Sequence, residues 1–188
     1  MVRKIVMMFL VLGMSVSAAS AAGKDYSADM VMRSGSETVS GKIYASGQLL
    51  RYEMGPMITI TRVDRKKSYV LMSDQKMYME QPIDPMASVK AGVDEGGSVE
   101  TIPMGAEEVE GRQAEKVKVI YSDSNGANTI YQWFDASGLP VKVESEDGSW
   151  SVTYSNISGG PQPAELFEVP ADYTLMAMPN IASLLTNT

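Results

Sequence analysis

Residues 149–155, SWSVTYS, show the strictest alternation of large apolar and small polar side chains in the chain. Successive side chains of a β-strand point to opposite faces of a sheet, so Trp150, Val152 and Tyr154 would share one face. A strand of this kind needs neighbouring strands and a core that covers its apolar side. This stretch therefore predicts a β-sheet protein with one buried face.

Alternating runs of the same kind lie on both sides of this stretch. They end at turn residues every eight to twelve positions or so, a spacing typical of an antiparallel meander. About ten strands in one sheet must curl, because large flat sheets are rare. The predicted strands are 26–33, 38–45, 49–54, 57–63, 68–72, 76–80, 112–121, 129–135, 140–145 and 149–155.

Three segments depart from the alternating pattern. Gln81–Gly97 contains two Pro and three Gly and has no period of two, while Asp84 and Pro85 are typical of a helix start. We expect a loop with a short helix here, and a connection of this length is typical of a mobile lid. Further short helical segments are predicted at Ala164–Leu166 and at Met178–Leu185.

Composition and charge restrict the class of protein. The chain has 188 residues, of which 44% are hydrophobic and 21% are charged, and its net charge is −7. These values are typical of a globular domain with a sizeable core. The acidic balance argues against binding to nucleic acid and against electrostatic attachment to an anionic membrane.

The first residues have the pattern of a secretory signal peptide. Arg3 and Lys4 precede an apolar run, Ile5–Val16, and small residues follow it. The run is shorter than the roughly 20 residues that span a bilayer. We expect residues 1–22 to be removed near Ala21 and Ala22, and residues 23–188 to form one periplasmic domain that is not integral to the membrane.

The predicted inner face is unusual because methionine takes the place of stiff β-branched residues. In DMVMR (29–33) and KMYME (76–80), both methionines of each run lie on one face of the strand. Met adapts to irregular shapes, which suits a surface that accepts variable apolar partners. The alternative is that these side chains simply fill a core. The candidate ligand-binding residues are Met30, Met32, Leu50, Tyr52, Met54, Ile58, Ile60, Met77, Met79, Trp150 and Val152.

The second half of the chain resembles a known family. GLPVKVE (138–144), GSWSVTYSNI (148–157) and the tail QPAELFEVPADYTLM (162–176) are similar to exported proteins of the LolA/LolB superfamily, periplasmic lipoprotein carriers. The nearest similarity is to a subgroup of uncharacterised, Met-rich secreted proteins. The tail pattern L-F-x-[VI]-P-x-x-[YF] is matched by Leu166, Phe167, Val169, Pro170 and Tyr173.

The resemblance implies a fold and a class of ligand. The fold would be mainly β, an incomplete antiparallel β-barrel whose short helices form a lid over a hydrophobic cavity. The ligand would be a lipid, an acyl chain or a lipidated protein, and the partner a lipoprotein or another envelope protein. Carriers of this family use a strand arginine in lid closure, for which Arg33, Arg51 and Arg62 are candidates.

Enzymatic activity is not expected, nor is a cofactor. The chain has no His and no Cys, which excludes a Ser-His-Asp triad, a cysteine nucleophile and a conventional zinc site. Acidic clusters occur at 94–95, 107–110 and 144–147, all in predicted turns or exposed edges. We interpret them as solvated charge, although paired carboxylates also perform glycoside hydrolysis.

Two other functions remain open. The Met-x-Met pairs at 30–32 and 77–79 offer soft thioether ligands to Cu(I) in an exported protein. An envelope protein-interaction or sensing module would instead present an exposed apolar groove or sheet edge.

Overall fold

The computed structural model describes residues 23–83, 98–123 and 126–176. The predicted signal peptide (1–22), most of the predicted lid (84–97) and the predicted helix Met178–Leu185 lie outside these residues. In the described part of the chain, three short 3₁₀ turns cover Val63–Arg65, Ser73–Gln75 and Ala164–Phe167, the last at the helical turn predicted for Ala164–Leu166.

Twelve strands of the described chain form one sheet. Their bounds are β1 (Tyr26–Ser34), β2 (Glu37–Ser46), β3 (Leu49–Met54), β4 (Met57–Arg62), β5 (Lys67–Met72), β6 (Met77–Pro82), β7 (Ser98–Val109), β8 (Arg112–Asp123), β9 (Gly126–Phe134), β10 (Pro140–Ser145), β11 (Trp150–Gly159) and β12 (Thr174–Leu175).

The order of strands across the sheet is β12-β6-β5-β4-β3-β2-β1-β11-β10-β9-β8-β7. Two meanders, β1–β6 and β7–β11, are joined where β1 pairs with β11. The sheet remains open, with β12 at one edge and β7 at the other. The predicted fold class, a mainly β protein with an incomplete antiparallel barrel, is confirmed.

Strand β7 is a difference from the sequence prediction. Pro103 and Gly105 interrupt its alternation, and the pairing with β8 shifts between these two residues. Proline is tolerated in edge strands and at bulges, because the missing N–H group is not needed there. The two residues that suit β7 to a sheet edge therefore also interrupt the alternation by which a strand is predicted.

The pairing register divides the sheet into two faces. Residues directly opposite each other on paired strands point to the same side, and neighbours along a strand alternate. The face that bears Met30 and Met32 is called the inner face, and the other face is called the outer face. Inner-face positions include Tyr26, Ala28, Met30, Met32, Val39, Gly41, Ile43, Ala45, Leu50, Tyr52, Met54, Met57, Thr59, Thr61, Ser68, Val70, Met72, Met77, Met79, Gln81, Val117, Val119, Ile130, Gln132, Val143, Ser145, Trp150, Val152 and Tyr154.

The main core lies on the inner face of the central strands. Met30 and Met32 are 3% exposed, and Ile43 and Val152 are also buried. They belong to one cluster that extends to Val119 on β8. The centre of the sheet is thus closed off from solvent along this face.

The outer face of β2 to β6 is covered by residues 160–176, here called the C-terminal strap. Phe167 is 1% exposed and packs with Ile60, Tyr69 and Leu71. The strap then joins the sheet edge, where β12 pairs in parallel with β6. This half of the sheet consequently buries apolar residues on both faces.

Candidate functional site

Nine of the eleven predicted ligand-binding residues share the inner face. They are Met30, Met32, Leu50, Tyr52, Met54, Met77, Met79, Trp150 and Val152. Alternation along each strand and the sequential order of β1 to β6 bring the residues of these strands together, whereas Trp150 and Val152 join them through the pairing of β11 with β1. Whether they contact a ligand stays a prediction.

Ile58 and Ile60 lie on the outer face, so the prediction that placed them with the methionines is wrong. In β4 the register sets Thr59 opposite Tyr52, which turns both isoleucines away from the inner face. Ile60 is fully buried against Phe167 of the C-terminal strap. The side chains that pack over these isoleucines come from a segment that is distant in the sequence. The local pattern of β4 therefore does not reveal them.

Sequence reasoning also missed inner-face residues of β4 and β5. Met57 lies directly opposite Met54 and Met72, and Met72 lies opposite Met77. The signal for Met57 was present, since a two-residue hairpin loop at Gly55-Pro56 sets its flanking residues opposite each other. The position of Met72 on the inner face could be predicted only with the register of a second hairpin, the one between β4 and β5.

The inner face of strands β3 to β6 carries no full charge, whereas Glu37 on β2 and Glu115 on β8 are inner-face positions elsewhere on the sheet. None of the inner-face positions named above is an Asp, Glu, Lys or Arg. The ion pairs of the strands lie on the outer face, such as Lys42 with Asp29 at 3.5 Å and Lys67 with Glu80 at 2.7 Å. A surface with this distribution of charge excludes ionic ligands from its middle and favours apolar ones.

The methionines of the inner face are less buried on β3 to β6 than on β1, although Ser68 and Val70 on β5 are buried. Met30 and Met32 are closed in the core, whereas Met54, Met57, Met72, Met77 and Met79 are half-buried. Threonines at 59 and 61 lie beside them on β4. The half-buried region on β3 to β6 is therefore the part of the inner face that an apolar ligand would reach.

Three tyrosine hydroxyls lie deep on the inner face and influence one another. Burial raises the pKa of Tyr26 from its ordinary value of 10.0 to about 12. Burial also raises the pKa of Tyr52 and Tyr154, and the nearby phenols add to the rise in each case. These groups therefore stay neutral at physiological pH and offer polar contacts without charge.

The buried strand arginines belong to the outer face. Arg51 donates to the carbonyl oxygen of Leu166 at 2.9 Å, and Arg62 donates to that of Phe167 at 3.2 Å. Arg62 also pairs with Glu168, and the hydrogen bond from Arg65 lowers the pKa of that carboxyl group most strongly. Arg51 and Arg62 hold the C-terminal strap in place, so they do not line the inner face.

The acidic side chains of the described part of the chain lie apart from the inner-face methionines. No group of three or more Asp and Glu side chains there is arranged to hold a metal ion. Glu107, Glu108 and Glu110 lie on or just after the exposed edge strand β7, as predicted for solvated charge. Among the described residues, no helix has the length and apolar character needed to cross a bilayer.

Comparison with known proteins supports the fold. No protein-family model matches the sequence, and no curated protein matches it. A chain of the Pseudomonas aeruginosa MucA/MucB complex is 14% identical, with a TM-score of 0.53, over 89% of this chain and 62% of that chain. The chain thus spans about three fifths of that relative.

Two further solved structures are similar with lower TM-scores. MucB in complex with MucA(peri) is 14% identical, with a TM-score of 0.47, over 89% of this chain and 61% of that one. The Mycobacterium tuberculosis lipoprotein LppX is 16% identical, with a TM-score of 0.43, over 81% of this chain and 95% of its own. The fold is LolA-like, as the sequence resemblance indicated. The place within a Met-rich subgroup stays a prediction.

Proposed function

We propose that the protein is an exported binding or carrier protein that takes up the acyl chain of a lipid or of a lipidated protein on its inner face. The observation that carries the proposal is the separation of charge between the two faces of strands β3 to β6. A large, half-buried apolar surface without charges is an expected binding site for an uncharged chain. Export is supported by the signal-peptide pattern of residues 1–22.

The energy available from such binding is sufficient. Each buried CH₂ group contributes about 0.8 kcal/mol, so a chain of about ten carbons contributes about 8 kcal/mol, which corresponds to micromolar affinity. Ordering of the chain and of the protein reduces this value. A charged head group would remain at the margin of the inner face, because the inner face of β3 to β6 has no charged side chain to pair with it.

The predicted lid connects strands β6 and β7 along the chain. The segment after Ile83 joins β6, beside one edge, to β7, at the other edge. A segment that joins the two sides of an incomplete barrel is well placed to control access to its interior. The predicted role of Gln81–Gly97 as a lid is retained in the proposal.

The test measures a ligand directly and then removes its site. Native mass spectrometry of protein gently extracted from the periplasm is expected to show a bound lipid, and the purified protein is expected to raise the fluorescence of cis-parinaric acid. Met79→Asp should abolish both signals, because it places a charge on the inner face. Absence of both signals in the unmodified protein would overturn the proposal.

Two matched variants control for folding and for unspecific effects. Met79→Leu keeps an apolar side chain of similar volume and should bind as the unmodified protein does. Lys76→Ala alters the exposed residue just before β6, whose ammonium group pairs with Asp172 at 3.0 Å, and should leave affinity within about twofold. Loss of binding in either control would contradict the assigned site.

A second candidate function is recognition of an envelope protein. The solved MucB structure is a complex with MucA, and the edge strand β7 here exposes Val99 by 49% and Met104 by 52%. Pro103 and the irregular register beside it oppose pairing of this edge with another strand. Crosslinking in the periplasm distinguishes the two, since a protein adduct through β7 supports this candidate.

A further inference from the structure

We infer that four methionines at one end of the inner face form a binding site for a monovalent soft metal ion, Cu(I). Met54, Met57, Met72 and Met77 come from four adjacent strands, β3 to β6. Each lies directly opposite the next in the pairing register. They are called the methionine row. The inference concerns a different ligand from the acyl chain and does not rest on the proposed function.

The row is held together by its turns. Met54 and Met57 flank the hairpin loop between β3 and β4, and Met72 and Met77 flank the connection between β5 and β6. The backbone N–H of Ser73 donates to the carbonyl oxygen of Pro56 at 2.9 Å, which ties the two turns to each other. The backbone positions of all four residues are therefore fixed relative to one another.

The spacing suits shared coordination. Directly opposite residues on paired strands have Cβ atoms about 5 Å apart. The Met side chain has three rotatable bonds, so neighbouring sulfur atoms are able to converge on one ion from such positions. Three thioethers of the row would surround the ion, and the fourth would lie beside it.

The chemistry of the inner face selects for a soft, singly charged ion. Thioether sulfur favours Cu(I), whereas Mg²⁺ and Ca²⁺ require oxygen ligands. The neighbouring inner-face positions supply threonines and Val70 but no carboxylate. Hard divalent ions thus find no ligands on this surface.

Exposure distinguishes the row from the methionines of the core. All four residues are half-buried, while Met30 and Met32 are 3% exposed. The residues at the half-buried positions keep part of their surface in contact with solvent. Partial exposure also limits the desolvation cost, which would be large for a cation enclosed among uncharged groups.

The test is a titration of the full-length mature protein with Cu(I) under anaerobic, reducing conditions, against a competing chelator. One equivalent is expected to bind, and native mass spectrometry with Ag(I), which is inert to oxidation here, is expected to show the same stoichiometry. The double variant Met57→Leu, Met72→Leu should weaken binding by more than about tenfold, the loss that even outer-shell changes cause at metal sites. No uptake, or uptake unchanged in this variant, would overturn the inference.

Controls separate this result from misfolding. Met→Leu changes remove sulfur but keep apolar volume, so the double variant should keep the circular dichroism spectrum and the urea midpoint of the unmodified protein. Met30→Leu, Met32→Leu should retain the metal. Methyl NMR of ¹³C-labelled methionine in the unmodified protein provides a readout without substitution: Ag(I) should shift the four row signals, and shifts confined to other methionines would contradict the site.

Discussion

On strands β3 to β6, the inner and outer faces differ in how far their apolar side chains are covered. The outer face buries Ile60 and Leu71 under Phe167, which the chain itself supplies. The inner face of the same strands leaves Met54, Met57 and their neighbours half-buried. Among the described residues, the outer apolar surface is thus covered by the strap, whereas the inner one is covered only in part, an arrangement that agrees with the proposed binding site.

The largest expected effect comes from a charge placed on the inner face at the core. Met32→Asp should destabilise the protein by more than about 4 kcal/mol, because a buried carboxylate there has no partner. Arg33→Asp, one residue along and exposed on the outer face, should change stability by less than about 0.5 kcal/mol. Urea denaturation followed by circular dichroism compares the two, and equal losses would contradict the division into faces.

Removal of the strap's anchor should have a smaller effect, confined to the outer face. Phe167→Ala empties a fully buried position and should cost about 3–5 kcal/mol. Ligand binding to the inner face, measured well below the melting temperature, should be retained. If binding were lost while the fold persisted, the two faces of β3 to β6 would be coupled rather than independent.

The smallest expected effect is the response of the inner-face tyrosines to alkaline pH. The pKa of Tyr26 is 10.0 in an exposed chain and about 12 in the fold, so above pH 10 the unfolded state loses its proton first. Stability should therefore fall as the pH rises from 10 to 12, by about 1 kcal/mol at pH 11 for Tyr26 alone. Thermal melts at several pH values should show a shallower fall in Tyr26→Phe, and an unchanged slope would contradict the burial of its hydroxyl.

The sequence resemblance and the structure agree on the fold, but they disagree about individual side chains. Leu49–Met54 and Pro140–Ser145 were predicted with the bounds that β3 and β10 have. Strand β7 was missed, since Pro103 and Gly105 conceal its alternation. Arg51 and Arg62, candidates for lid control, instead bind the C-terminal strap.

The sequence by itself determined ten of the twelve strands of the described chain, their turns and the shared face of each Met-x-Met pair. Side-chain alternation and turn preferences depend on neighbouring residues only, so a single chain is enough to read them. Only the tertiary structure decided which face of β4 is inner and that four methionines from four strands form a row. Both depend on pairing register and on a strap whose Phe167 lies 105 positions from Arg62, and contacts at that distance leave no mark in local periodicity.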